Sequence, residues 1–238
     1  MDKEQFYKEL KTLGLLENAL MTQRLEMYKE HIQKINRVLN LTAIDDDEGI
    51  YLKHFYDSLL INSELESGMS LCDIGSGAGF PGIVLAIARP DITMVCVEPT
   101  GKRSDFLQRV STELKLLNVE VVNDRAEHIA INRRESFDCV TARAVAHLDI
   151  LSELCIPLLK VDGIFIAMKG QRALEELEVS QIAINKLGAV LVKENYHNDA
   201  ELGLRYNLEF IKNRKTPKQY PRSYAKIKKT PLSGRNNE

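Results

Sequence analysis

Apolar residues in the first part of the chain recur at alternating intervals of three and four. Leu25, Tyr28, Ile32, Ile35 and Leu39 make one stripe on a helix. The stripe predicts a helix that stops near Asn40-Leu41-Thr42, ahead of the acidic turn Asp45-Asp46-Asp47, and Ile50 through Ile61 predicts a second. From Ser70 the pattern changes. Apolar runs without polar alternation lie at Ser70 to Ile74, Met94 to Glu98, Val119 to Asn123, Phe137 to Thr141 and Gly163 to Met168. Helical spacing marks Pro81 to Arg89, Lys102 to Leu117, Leu148 to Lys160 and Ala173 to Leu187. Strands of that kind are buried on both faces, so they predict a parallel sheet covered by helices on each side. Two last strands, near Val190 to Tyr196 and Arg205 to Lys212, flank a short polar loop and read as a hairpin. The expected fold is therefore α/β: a doubly wound, mostly parallel sheet with an antiparallel edge. A helical extension (1–65) precedes the core (66–212), and a basic tail (213–238) follows it.

Ligands of such sheets lie at the carboxyl ends of the strands. There the first strand runs into Asp73-Ile74-Gly75-Ser76-Gly77-Ala78-Gly79-Phe80-Pro81-Gly82 and then into a helix. Glycine lets the backbone approach a ligand closely and adopt positive φ, and the helix that follows offers unpaired N–H groups. Dinucleotide loops share this design, but Phe80 stands where G-x-G-x-x-G requires its third glycine. Asp73 also places a carboxylate where a pyrophosphate would be repelled and an ammonium attracted. S-adenosylmethionine, with an ammonium, a sulfonium and no phosphate, fits this loop better than NAD does. An NAD-linked oxidoreductase is the rival reading, and these two residues speak against it.

Composition narrows the setting. The 238 residues are 44% hydrophobic and 28% charged, ordinary for a soluble globular protein, and no window approaches the ~20 apolar residues of a membrane span. The start, Met-Asp-Lys-Glu-Gln-Phe, does not resemble a secretory signal. Cys72, Cys96, Cys139 and Cys155 stand singly in apolar stretches, and the five histidines have no metal-ligand spacing. The expectation is a cytoplasmic protein without a metal, most simply a monomer. Charge is uneven: from Lys212 to Asn237 there are nine Lys or Arg and no acid. An acidic body with a basic end points to an acidic partner.

Several residues at strand ends are candidates for chemistry. Glu98, closing the second strand, could accept both ribose hydroxyls of an adenosine, or simply be an exposed acid. Ala126-Glu127 could read an adenine edge, or open a short helix. Arg143, past the fourth strand, would need an acid or an anionic substrate beside it if buried. Lys169-Gly170 end the fifth strand at the same rim, where Lys169 could meet a phosphate or stay solvated. His54, Asp57 and Ser58 share one helix face by spacing, as substrate contacts or as buried polar packing. Gly101-Lys102 is no P-loop, since Cys96 stands where its first glycine should be.

Taken in order, these residues resemble the RsmG (GidB) family of bacterial rRNA methyltransferases, class I S-adenosylmethionine-dependent enzymes with a Rossmann-like core. The resemblance runs through Asn40-Leu41-Thr42, His54 with Asp57-Ser58, the loop from Asp73 to Gly82, Ala126-Glu127, Thr141-Ala142-Arg143-Ala144, Lys169-Gly170 and Tyr220-Pro221-Arg222. It implies methyl transfer to N7 of one guanine in 16S rRNA, near the decoding site. It also implies that Gly75, Phe80, Ala126, Glu127 and Arg143 line the cofactor site, joined by Asp73, Gly77, Gly79 and Glu98 from the loop reading. On the RNA side the expectation names Asn40, His54, Asp57, Lys169, Arg214 and Arg222. Further tail cations (Lys215, Lys228, Lys229) would hold the backbone, with Tyr220 and Tyr224 for stacking. N7 has a free lone pair, so no general base is expected; Arg143 and Lys169 would orient.

Overall fold

The computed structural model describes residues 1–233. Arg235, one of the tail cations, lies outside the described residues.

Seven strands form one sheet: β1 (Ser70–Ile74), β2 (Thr93–Val97), β3 (Val119–Val122), β4 (Phe137–Arg143), β5 (Leu159–Lys169), β6 (Ala189–Asp199) and β7 (Gly203–Lys212). Their order is β3-β2-β1-β4-β5-β7-β6. Pairing is parallel from β3 to β5, while β7 runs antiparallel to both β5 and β6. The doubly wound sheet and its closing hairpin are as expected. From β1 the chain steps outward to β2 and β3, then returns to place β4 on the other side of β1. That reversal opens a crevice at the carboxyl ends of β1 and β4.

Side chains alternate between two cores because successive strand residues point to opposite faces. Leu71, Met94, Cys96, Cys139, Ile166 and Met168 face one layer, while Cys72, Val95, Val97, Val140, Phe165 and Ala167 face the other. The first layer holds α5 (Gly82–Ala88), α6 (Gly101–Glu113) and the N-terminal helices; the second holds α7 (Ala126–Asn132), α8 (Leu148–Cys155) and α9 (Ala173–Leu187).

The N-terminal part is helical: α1 (Lys3–Glu9), then α2 (Ala19–Leu39). The Asn18 side chain caps α2 by accepting from Met21 N–H, and Asn40 ends it in the left-handed conformation. Its predicted stripe is buried at Leu25, Tyr28 and Ile32. The second predicted helix is broken into α3 (Asp47–Gly49), a π-wound segment Ile50–Tyr56 and α4 (Asp57–Leu59). The wider winding separates the faces of His54 and Asp57 from simple i, i+3 stacking, and such segments often occur at functional sites.

Two differences from the sequence expectation matter. β5 starts at Leu159, four residues early, because α8 ends at Cys155 and the fully buried Leu159 pairs at once with Phe137. The pairing then shifts register between Phe137 and Cys139. Beyond β7, residues 213–233 do not project as a tail. They lie along α7 and α8, burying Tyr220 and Ile227 in the second core, and form α10 (Tyr224–Lys229). No helix among the described residues is long and apolar enough to cross a membrane, and all four cysteines are buried.

Candidate functional site

The glycine turn sits at the carboxyl ends of β1 and β2. Gly75 and Ser76 N–H donate to Val97 O at 2.8 and 3.1 Å, and the Tyr28 hydroxyl donates to Ala78 O. Gly75, Gly77 and Gly79 all have positive φ, at 70°, 58° and 101°. At Gly75 the missing side chain also makes room: a Cβ would stand 2.7 Å from Val145 Cγ2. Asp73 lies wholly buried behind the turn, accepting from Gly82 N–H at 3.1 Å through Oδ2, while Oδ1 has no hydrogen-bond donor among the described residues. Burial pushes its pKa up to about 6.

Glu98 closes this wall from β2. It is buried, accepting from Gly77 N–H at 2.9 Å through Oε2 and from Thr100 N–H at 2.8 Å through Oε1. Each carboxylate oxygen keeps a second lone pair. Asn123, at the end of β3, donates to Glu98 O at 2.8 Å and ties the two strand ends together. Ala126 is buried at the start of α7, and Glu127 beside it accepts from Tyr224 N–H at 3.3 Å. S-adenosylmethionine fits these residues. Among the described residues Asp73 Oδ1 is a buried acceptor without a donor, suited to an ammonium side, and Glu98 retains acceptor capacity for hydroxyls. A pyrophosphate would meet two carboxylates.

Arg143, at the end of β4, stands between the glycine turn and the N-terminal helices. Nη1 donates to Lys53 O at 2.9 Å and to Asp57 Oδ2 at 2.7 Å, and the guanidinium lies 5.0 Å from the centre of the Phe80 ring. Asp57 is also paired with Arg205 Nε, at 3.2 Å through Oδ1. His54 stacks on the other partner of this group, Phe80, with centroids 4.2 Å apart and planes 16° from parallel. Its Nε2 meets Thr42 Oγ1 at 2.8 Å, and burial followed by the charge of Arg143 lowers its pKa to about 4. Ser58 is fully buried and donates to His54 O.

Lys53, His54, Asp57, Arg143 and Arg205 line a cleft of about 620 Å³, closed on its far side by Ala144 to His147 and by Lys169-Gly170. Lys169 lies at the rim of this cleft with its ammonium already partnered. Its ammonium donates to Ala146 O at 2.6 Å and pairs with Glu176 at 2.8 Å, and Glu176 in turn accepts from Leu148 N–H at 2.8 Å. It holds the segment that follows Arg143. Arg205, Val145 and Glu176 also stand at this site, and their residue types give no signal of it in the sequence.

The remaining predicted RNA contacts lie elsewhere. Asn40 is exposed at the end of α2 and does not line the cleft. Arg214 is exposed on the opposite end of the sheet, donating to Asn185 O and, at 3.1 Å, to Asn185 Oδ1. Arg222 is spent on fully buried Glu153, with Nε and Nη2 donating at 2.8 and 2.6 Å. Tyr220 is buried, so it offers no face for stacking, whereas Tyr224 is half-buried beside Arg125.

The strand order, the glycine turn after β1 and the acid after β2 define a class I S-adenosylmethionine-dependent methyltransferase. Solved structures share the architecture at low identity. M. jannaschii TYW2 in complex with AdoMet matches with a TM-score of 0.51 and 16% identity, over 62% of this chain and 70% of that one. The 16S rRNA (adenine(1408)-N(1))-methyltransferase from Catenulisporales acidiphilia matches with a TM-score of 0.53 and 13% identity, over 63% and 90%. These likenesses concern the fold. More narrowly, the chain belongs to the GidB family, rRNA small subunit methyltransferase G, whose family model matches residues 21–202. It is 43% identical to the ribosomal RNA small subunit methyltransferase G of Oceanobacillus iheyensis, across 98% of this chain and 100% of the relative. The Geobacillus kaustophilus protein of the same description is 42% identical, with the same coverage.

Proposed function

We propose that this enzyme transfers a methyl group from S-adenosylmethionine to N7 of a specific guanine in 16S rRNA, near the decoding site. The observation that carries the substrate is the match of nearly the whole chain to rRNA small subunit methyltransferase G. The cleft beside Arg143 is where the base enters, since it adjoins both the glycine turn and the N-terminal helices.

In this reading Asp73, Gly75, Gly77, Gly79, Phe80, Glu98, Ala126, Glu127 and Arg143 hold the cofactor, which supplies an electrophilic methyl group on a sulfonium. Guanine N7 attacks with its in-plane lone pair and loses no proton, so no cleft residue has to act as a base. Catalysis comes from alignment and from electrostatics at the reacting centre. Arg143 binds and orients, its charge balanced by Asp57. His54, with a pKa of about 4, stays neutral near pH 7 and adds no further positive charge to that of Arg143 and Arg205 where charge passes to the base. The target base leaves its stack to reach the cleft, at a cost of a few kcal/mol. The protein works as a monomer in the cytoplasm.

Tritiated methyl transfer to rRNA from a strain lacking this activity, with the product base mapped, tests the proposal. Label at N7 of a 16S guanine is expected; label in an exocyclic or ribose position overturns it. Calorimetry should show binding of S-adenosylhomocysteine and none of NADH.

A further inference from the structure

Residues 222–233 are committed to the body of the protein, in a pattern that converges on the cofactor side. Arg134, just past α7, donates to Tyr220 O and Thr216 O, each at 2.6 Å. Next, Arg222 grips Glu153 with three donors: its backbone N–H at 2.8 Å, Nε at 2.8 Å and Nη2 at 2.6 Å. Glu153 is wholly buried on α8, so this charge would be stranded without Arg222. Ile227 is fully buried in the same core as Ala126 and Leu148. Two residues after the Arg222 grip, Tyr224 N–H reaches Glu127 Oε1 at 3.3 Å, while its ring lies 5.5 Å from the Arg125 guanidinium. Finally Ser233 donates to Asp149 Oδ2 at 2.6 Å, and Asp149 Oδ1 meets His147 of the cleft at 2.8 Å.

We propose that the C-terminal segment is a clamp on the cofactor site, in which Arg222 and Tyr224 are positioning residues that hold Glu127 in its binding rotamer. The inference rests on the reading of Ala126-Glu127 as part of the cofactor site. Its physical basis is pre-organisation: a carboxylate already held by a backbone donor loses no rotamer freedom when the ligand arrives. The Arg222–Glu153 pair sets where that donor stands. Removing the clamp therefore weakens cofactor affinity, even without RNA present.

Tyr224 allows a clean test because it is the first residue of α10, where proline is tolerated and lacks the N–H. Its neighbour Ser223 already has ψ 144, the extended geometry that a following proline requires. Tyr224→Ala keeps the N–H and removes the ring; Tyr224→Pro removes both. S-adenosylhomocysteine binding by calorimetry is compared for the two variants and the natural protein, alongside thermal melts and RNA filter binding. Tyr224→Pro should bind about tenfold more weakly than Tyr224→Ala, with melting and RNA affinity near those of the natural protein, tenfold being the factor for 1.4 kcal/mol. Arg222→Lys, which keeps the charge on Glu153 and loses the forked grip, should fall between. Equal binding by all variants overturns the clamp, as does an equal loss in Tyr224→Ala and Tyr224→Pro. A loss of RNA affinity with cofactor binding intact makes the segment an RNA arm, and also overturns it. If the natural protein itself fails to bind S-adenosylhomocysteine, the cofactor reading falls first and takes the clamp with it.

Discussion

Arg143 and Asp57 are 86 residues apart in sequence and 2.7 Å apart at their charged ends, where the pair closes the wall between the glycine turn and the N-terminal helices. Asp57 also holds Arg205, so one carboxylate positions two guanidiniums at the cleft. Replacing it by asparagine keeps the shape and strands both cations. Breaking a buried pair costs about 3–5 kcal/mol, and the partial exposure of both arginines reduces this. Asp57→Asn should lose about 1–3 kcal/mol in urea unfolding. It should also lose about 10²-fold in methyl-transfer kcat/KM, the usual penalty for a displaced positioning group.

Stability in mild acid should reflect two opposed groups. His54 takes up its proton at about 4 in the folded protein, against an ordinary 6.5. The unfolded chain thus binds more protons between those values, and stability falls as pH drops through that window. Asp73, raised to about 6 by burial, takes up its proton sooner in the folded state, so acidification from about 6 towards 4 adds stability. Melting curves at closely spaced pH should therefore fall more steeply for Asp73→Asn than for the natural protein, and less steeply for His54→Gln. Identical slopes in all three would contradict the pairing of these effects.

Alanine at the glycines of the turn should separate strain from occlusion. Gly75 and Gly77 both have positive φ, which costs an L-residue about 1–2 kcal/mol. At Gly77 a Cβ would find its nearest neighbour, Gly75 O, at 3.8 Å; at Gly75 it would meet Val145 Cγ2 at 2.7 Å. Gly75→Ala must displace Val145 over the cofactor side and should weaken S-adenosylhomocysteine binding by about tenfold or more, while Gly77→Ala shows little beyond the strain. Calorimetry and urea unfolding on both variants provide the check.

Lys226 and Lys229 are exposed on α10, and if the basic end contacts RNA they are among the cations available for its phosphates. Neutralising both with glutamine should reduce the salt dependence of RNA binding by a slope of about 1.4, at about 0.7 per single-strand phosphate contact. Cutting the chain after Ile211 is a different experiment. It removes buried Lys212, Tyr220 and Ile227 and should unfold the second core, seen as lost solubility or a collapsed melting transition.

Much of the architecture is legible in the sequence. Uninterrupted apolar runs marked β1 to β4, and helical spacing placed α9 at its observed bounds. Glu98 stands at a strand end beside the glycine turn because both follow from where an apolar run stops. What could not be read were the partners of the charges. In sequence Lys169, Arg222 and Asp57 look only like polar residues at a strand end, in a basic tail and on a helix face. Each is in fact neutralised by a residue from another element: Glu176, Glu153, and Arg143 with Arg205.

The difference has one physical cause. Burial periodicity and glycine's access to positive φ act within a few residues, so the sequence alone determined the α/β order, the turn after β1 and the acids that favour S-adenosylmethionine over a dinucleotide. Coulombic pairing and desolvation depend on distances between elements that only folding brings together. The tertiary structure therefore decided that the basic end is a strap along α7 and α8, and that Lys169 and Arg222 hold the protein rather than solvent. It also decided that Arg143 reaches the cleft with its charge already balanced.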